Sequence, residues 1–211
     1  MPQLLTAAEN PKARLLLCHG AGAPVQSDFC QQLAAQLALL GIEVWGFNFA
    51  YMQQCLAGQR RPPPKMPVLI AELQQQLAAM ATDLPLLLAG KSMGGRVVTM
   101  LCAGSAGEVP AQVKAVCCYG YPFHPPKKHS WRTEHFDKLQ RPVLVLQGER
   151  DPFGTLAELT ELHWPQVQLQ WLPSADHDFK PLKSSGLTQE LLLQQAAQHS
   201  RRFISDVILE T

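Results

Sequence analysis

A serine, an aspartate and a histidine, each just beyond an apolar run and met in that order along the chain, are the residues here best equipped for covalent chemistry. Ser92 lies in Gly90-Lys91-Ser92-Met93-Gly94, between the apolar run Leu86-Leu87-Leu88-Ala89 and a helical pattern that opens at Gly95. This spacing predicts a sharp strand-to-helix turn with the serine at its apex, a G-x-S-x-G nucleophile elbow. Glycines flank it because backbone meets backbone there, and the serine itself carries the strain. Serine is a poor nucleophile at its own pKa, so it needs a base within hydrogen-bond reach and a third group that fixes the base's tautomer. Asp151, after the run Val143–Leu146, is the candidate acid, and His177, after Val167–Leu172, is the candidate base. The chemistry such a set performs is transfer of an acyl group through a covalent intermediate.

Rival assignments are weaker. Gly90-Lys91-Ser92 also spells the end of a phosphate-binding loop, but the first glycine of that motif falls on Pro85 and a strand occupies the intervening positions. His124, His129 and His135 precede Asp151, His163 precedes the last strand, and His199 lies in a terminal helix. Asp176 and Asp178 adjoin His177 too closely to reach its ring without folding back, and they read as turn-forming, solvated residues. The loop Cys18-His19-Gly20-Ala21-Gly22-Ala23 consists mostly of small residues and lets backbone approach a carbonyl. The N–H groups of Ala21 and Met93 are therefore the expected oxyanion donors, with His19 organising the loop.

The elements that must position these groups alternate strand and helix along the chain, the signature of a parallel sheet covered by crossover helices. Strands are expected at Arg14–Cys18, Ile42–Phe47, Leu86–Ala89, Val113–Tyr119, Pro142–Gln147 and Val167–Leu172, with Gln3–Thr6 as an edge strand. Helices are expected from Ser27 or Asp28 to Gly41, from Pro67 through Met80, and within Gly95–Cys102, Thr155–His163 and Thr188–Ile208. In such a sheet, ligands bind beyond the carboxyl ends of the strands, where all three candidate groups fall.

The 211 residues suit a single domain, 1–211. A net charge of +1 with 17% charged residues gives no pull toward nucleic acid or membrane, and no apolar run reaches the ~18 residues of a membrane span. Six cysteines lack metal-ligand spacing, so no metal or cofactor is implied and a reduced, cytoplasmic protein is expected. Two basic, proline-rich segments, Gln59–Lys65 with Arg60 and Tyr121–His129 with Lys127 and Lys128, fall at the same sheet edge. Together with Lys91 and Arg132 they favour a substrate bearing a carboxylate or phosphate, unless they are solvated surface. Tyr51, Met52, Tyr121, Phe123 and Trp131 line an acyl pocket or pack the loop bases.

With these segments in place, the chain resembles the α/β-hydrolase superfamily over nearly its whole length. Further likeness lies in His19-Gly20-Ala21-Gly22-Ala23, Tyr51-Met52 followed by Arg60-Arg61-Pro62-Pro63, Gly90 to Arg96, and Gly120-Tyr121-Pro122-Phe123-His124-Pro125-Pro126. These resemble a small family named for a testis-expressed protein and a regulatory subunit of a histone-acetyltransferase complex, whose bacterial members are described as predicted or dienelactone-hydrolase-like hydrolases. The resemblance implies a serine triad at Ser92, Asp151 and His177 and no particular substrate. Dienelactone hydrolases proper carry a cysteine where this chain has Ser92, so their lactone substrate does not carry over. The short connection from Tyr119 to Pro142 implies a minimal lid or none. The expected activity is cleavage of an ester or thioester; the alternatives are a binding or scaffold protein that retains the fold, and an acyltransferase using the same residues.

Overall fold

The computed structural model describes residues 1–80, 82–105, 107–128 and 130–209. Seven strands form one sheet: β1 (Gln3–Thr6), β2 (Ala13–Cys18), β3 (Ile42–Phe47), β4 (Leu86–Lys91), β5 (Val113–Tyr119), β6 (Val143–Gly148) and β7 (Val167–Leu172). Their order across the sheet is β1-β3-β2-β4-β5-β6-β7, with β1 antiparallel to β3 and every other pair parallel.

Strands buried on both faces need apolar residues on both, and the sequence supplies them as continuous runs. Along β2, Leu15 and Leu17 point to one face and Leu16 and Cys18 to the other, following the two-residue period of a strand. The first face is covered by helix α1 (Asp28–Leu39) and helix α6 (Gln189–Leu209), whose Leu33, Leu37, Leu192 and Leu193 are fully buried. The second is covered by α3 (Met66–Ala78) and α4 (Met93–Cys102), through Leu69, Leu73, Val97 and Val98. α1 starts at Asp28 behind Ser27, and the chain leaves its end through Gly41 at φ 78°, a left-handed position that glycine adopts without strain. Pro67 sits in the first turn of α3, where a missing N–H costs nothing.

Three elements depart from the sequence reading. Residues Ala50–Leu56 form a short helix, α2, where no helix was expected. The helix expected over Thr155–His163 is reduced to α5 (Leu156–Leu159), started by a capping box between Thr155 and Glu158 and ended within a turn. β4 also runs on to Lys91, so the strand enters the elbow itself. Among the described residues, no helix is long and apolar enough to cross a membrane.

Topology sets the location of chemistry. The chain leaves β2 for β3 on one side and returns to β4 on the other, so the strand order reverses between β2 and β4. The loops after these two strands splay apart there and open a crevice.

Candidate active site

Ser92 occupies that crevice with φ 52° and ψ −114°, a conformation costing a non-glycine residue about 1–3 kcal/mol. The surroundings hold it there. Its N–H donates to Tyr119 O on β5 (3.1 Å), and its carbonyl accepts the Arg96 N–H of α4 (3.3 Å). A Cβ on Gly94 would lie 2.8 Å from the His19 carbonyl oxygen, and one on Gly90 would collide with the backbone of Gly94 and Gly95. The two glycines are therefore required by the close approach of β2, β4 and α4.

His177 arrives on the loop after β7. That loop is fixed by Asp176, whose Oδ1 accepts the N–H groups of Asp178 and Lys180 at 2.9 Å each, and by Glu149, whose Oε2 accepts the Ser174 N–H at 2.7 Å. The turn-forming role expected for Asp176 is thus the one it fills. Gly120, at φ 66°, lets the end of β5 pass beneath the histidine, since a Cβ there would stand 2.9 Å from His177 O and 3.3 Å from its Nδ1. The Phe153 ring lies against the imidazole, with centroids 4.4 Å apart.

The three expected groups meet. His177 Nε2 is 2.8 Å from Ser92 Oγ, and His177 Nδ1 is 2.7 Å from Asp151 Oδ2. Asp151 is fully buried, and its carboxylate also accepts the Phe153 N–H on Oδ1 (2.9 Å) and the Gln147 Nε2–H on Oδ2 (2.9 Å). A carboxylate only accepts hydrogen bonds, so the hydrogen in this 2.7 Å contact belongs to the imidazole. His177 therefore carries its proton on Nδ1 and turns the Nε2 lone pair toward the serine hydroxyl.

Gln147 is a residue the sequence reading passed over. Its side chain is fully buried; Oε1 accepts the Tyr121 N–H (2.8 Å), while Nε2 faces Asp151 Oδ2, Tyr121 O (3.1 Å) and Gly154 O (3.2 Å). It ties the acid to the strand beside it. The available signal was a polar residue at the end of an otherwise apolar strand, four positions before Asp151.

His19 organises the small-residue loop, as its position suggested. Its Nδ1–H donates to Gly20 O (2.6 Å) and its Nε2 accepts the Phe49 N–H (3.1 Å), an arrangement only the neutral ring provides. Burial pulls its pKa down to about 4. Ala21 lies in this loop, and Met93 is the first residue of α4. Tyr51 donates its hydroxyl to Ala21 O at 3.0 Å, so it braces the loop from α2 and is 6% exposed.

Lys91 crosses from the nucleophile's strand to the histidine's loop. Its Nζ donates to His177 O (2.9 Å), stands 3.2 Å from Asp178 Oδ1 and lies 5.2 Å from the centre of the Phe29 ring. Burial lowers its pKa, an effect the Asp178 carboxylate partly offsets. Asp178 is pushed up by burial and down by Lys91, with a net lowering.

A cavity of about 520 Å³ opens beside Ser92 and His177, bounded by the loop at Gly20–Ala23, the start of α1 and the start of α6. Its charged lining is mixed: Asp28, Asp178, Lys91 and Lys180. This corrects the expected pocket. Tyr121 and Phe123 are completely buried away from solvent and pack with Phe136 and Trp164 beneath the β5–β6 connection, because rings of that size gain more from burial than a short loop loses by folding over them. Arg60, Lys127 and Lys128 are exposed and absent from the lining of this cavity, since stiff proline-rich segments carry them out toward water. His129 lies outside the described residues.

A parallel sheet helical on both faces, with a strained serine after its central strand and a histidine and an acid on the next loops, defines an α/β hydrolase. The alpha/beta hydrolase domain family model matches residues 11–205, and the chain belongs to that family. Solved structures share the fold at low identity. Est1E from Butyrivibrio proteoclasticus aligns over 99% of this chain and 93% of its own with a TM-score of 0.67 and 12% identity. A dienelactone hydrolase from Anabaena variabilis aligns over 95% and 89%, with a TM-score of 0.68 and 20% identity. An alpha-beta serine hydrolase homologue from Coxiella burnetii covers 95% and 89%, at 0.67 and 18%. The narrower likeness to the testis-expressed family rests on its sequence motifs alone.

Proposed function

We propose that this protein is a serine hydrolase that cleaves a carboxylic ester or thioester through an acyl-enzyme. One observation carries the reading: an unbroken hydrogen-bonded line from Asp151 through His177 to Ser92, at 2.7 and 2.8 Å, beside an open cavity. Ser92 Oγ attacks the carbonyl carbon while its proton passes to His177 Nε2, and the carbonyl π pair moves onto oxygen. The N–H groups of Ala21 and Met93 receive that oxyanion, and Asp151 stabilises the imidazolium. Collapse expels the alcohol or thiol, which leaves with the proton from His177. Water then enters, His177 takes its proton, and the acid departs as Ser92 regains its hydrogen.

The substrate is a small molecule. Est1E has been described with ferulic acid bound, and a carboxylic acid is the product class this reaction releases. The six cysteines are free thiols, which suits work in the reducing cytoplasm. Labelling by a fluorophosphonate probe tests the proposal. Wild-type protein is expected to react at a single site, and Ser92→Ala to react at none and to lose roughly 10⁴ to 10⁶ in kcat. Folded wild-type protein that resists both the probe and simple activated esters refutes it.

A further inference from the structure

The two flanks of Ser92 belong to different faces of the sheet. Tyr51, Met93 and Tyr121 pack into the apolar layer shared with α3 and α4, whereas Cys30, Phe179 and the partly buried Phe29 belong to the layer shared with α1 and α6. The first flank is filled. Tyr51 and Met93 are both buried, with the tyrosine hydroxyl 4.0 Å from Met93 Sδ, and the Tyr121 ring is packed against Phe123. The second flank is open. The cavity of about 520 Å³ lies there, between the loop at Gly20–Ala23, Phe29 and Cys30 of α1, and Gln189 of α6. A Cβ on Gly22 would meet nothing within 4 Å, which marks unfilled space at the loop itself.

Attack by Ser92 Oγ makes a tetrahedral carbon with three further substituents. The oxyanion faces the N–H groups of Ala21 and Met93. The leaving oxygen or sulfur must stand within reach of His177 Nε2, because its bond to carbon breaks as that nitrogen hands it the proton taken from Ser92. His177 lies 2.8 Å from Ser92 Oγ, on the loop that runs from β7 toward α6, so the leaving atom departs on the α1 and α6 side. His177, Asp178 and Lys180 of this loop form one wall of the cavity. The acyl chain takes the remaining direction, away from it.

We propose that this cavity is the leaving-group site, and that it recognises a bulky, uncharged alcohol or thiol joined to a short acyl group. Its volume falls within the range of about 300–1,000 Å³ typical of small-molecule sites. Phe29 and Ala23 offer apolar surface, while two carboxylates, Asp28 and Asp178, balance two ammoniums, Lys91 and Lys180, so the lining has no net charge with which to select an ion. The proposal rests on the serine hydrolase reading and states which half of the ester the site selects.

The test compares S-ethyl thioacetate with S-(2-naphthylmethyl) thioacetate, which pass through the same acetyl-enzyme and differ only in the thiol. After correction for their rates with hydroxide, wild-type kcat/KM is expected to favour the larger thiol by about tenfold to a hundredfold, the range for burying an aromatic group. Lengthening acetyl to octanoyl should gain far less. Gln32→Trp, at an exposed position of α1 on the cavity wall, and Ala23→Trp, on the facing loop, narrow the cavity from two sides, and each should bring the thiol preference toward one by slowing acylation from the larger thioester. No thiol preference in wild type, or a preference kept in both variants, overturns the proposal. So does slower decay of an octanoyl-enzyme in the variants with the thiol preference intact, since the cavity would then hold the acyl chain. If neither thioester nor a fluorophosphonate modifies Ser92, the hydrolase reading fails and the leaving-group site falls with it. An acetyl-enzyme that forms equally well from both thioesters removes the leaving-group site alone.

Discussion

Replacing Lys91 by methionine removes the ammonium that ties the nucleophile's strand to the histidine's loop, and its effects on stability and on turnover should separate. The ion pair with Asp178 is weak because that carboxylate is 55% exposed, so solvent screening leaves about 1 kcal/mol or less. The charged hydrogen bond to His177 O, at 2.9 Å, contributes about 1.5–3 kcal/mol. Against both stands the cost of burying the ammonium, several kcal/mol in sites of this kind. These terms nearly cancel, and methionine keeps the packing against Phe29. The melting temperature should therefore move by only about 2–4 °C, equivalent to about 1 kcal/mol for a chain of this length. Turnover has no such cancellation. The Lys91 bond is the one that holds the His177 carbonyl itself, Asp176 and Glu149 fixing the loop on either side, and a misplacement of about 1 Å costs on the order of 10²-fold. Steady-state kinetics on a 4-nitrophenyl ester should show kcat down about 10- to 100-fold with KM little changed. Lys91→Arg should recover part of the loss, because a guanidinium fork reaches both His177 O and Asp178. Undiminished kcat in a folded Lys91→Met enzyme refutes the reasoning.

Other expectations follow from the same geometry. In Asp151→Asn, the Phe153 N–H requires the amide oxygen, which turns the NH₂ toward His177 Nδ1 and forces the ring proton onto Nε2; kcat should fall by about 10⁴, and because the same NH₂ then faces the buried Gln147 Nε2–H, the melting temperature should fall as well, by kinetics and calorimetry. Gly94→Ala sets a methyl group against the rigid backbone of Cys18 and His19 and should destabilise by about 4 kcal/mol or more, measured by denaturant titration. His19 has a folded pKa of about 4 against 6.5 unfolded, so between these values the unfolded chain binds a proton that the native one refuses. Stability should therefore fall as pH drops from 6.5 to 4, by about 3 kcal/mol from this ring, and the fall should be smaller in His19→Gln.

Much of the sheet was legible because strands buried on both faces appear as uninterrupted apolar runs, as in Leu15-Leu16-Leu17 and Leu86-Leu87-Leu88. The elbow was legible because its glycines answer to a steric demand that no other residue meets. Asp151 and His177 could be named because each follows a strand, and strand ends in a parallel sheet share one edge. What was not legible depended on direction. Tyr121 and Phe123 read equally well as a pocket wall or a buried cluster, and only Phe136 and Trp164, distant in sequence, decide for the cluster. Composition shows that Arg60, Lys127 and Lys128 are charged but not which way they point. Lys91, by contrast, gave no local sign that its ammonium would reach a residue 86 positions away.

The central claim is a covalent bond between Ser92 and the acyl group. Rapid-quench mass spectrometry during turnover of a 4-nitrophenyl ester should find one acyl group per chain, on the peptide containing Ser92, with a matching burst of nitrophenol. Steady ester cleavage with no adduct at any time, or an adduct confined to another residue, contradicts the account.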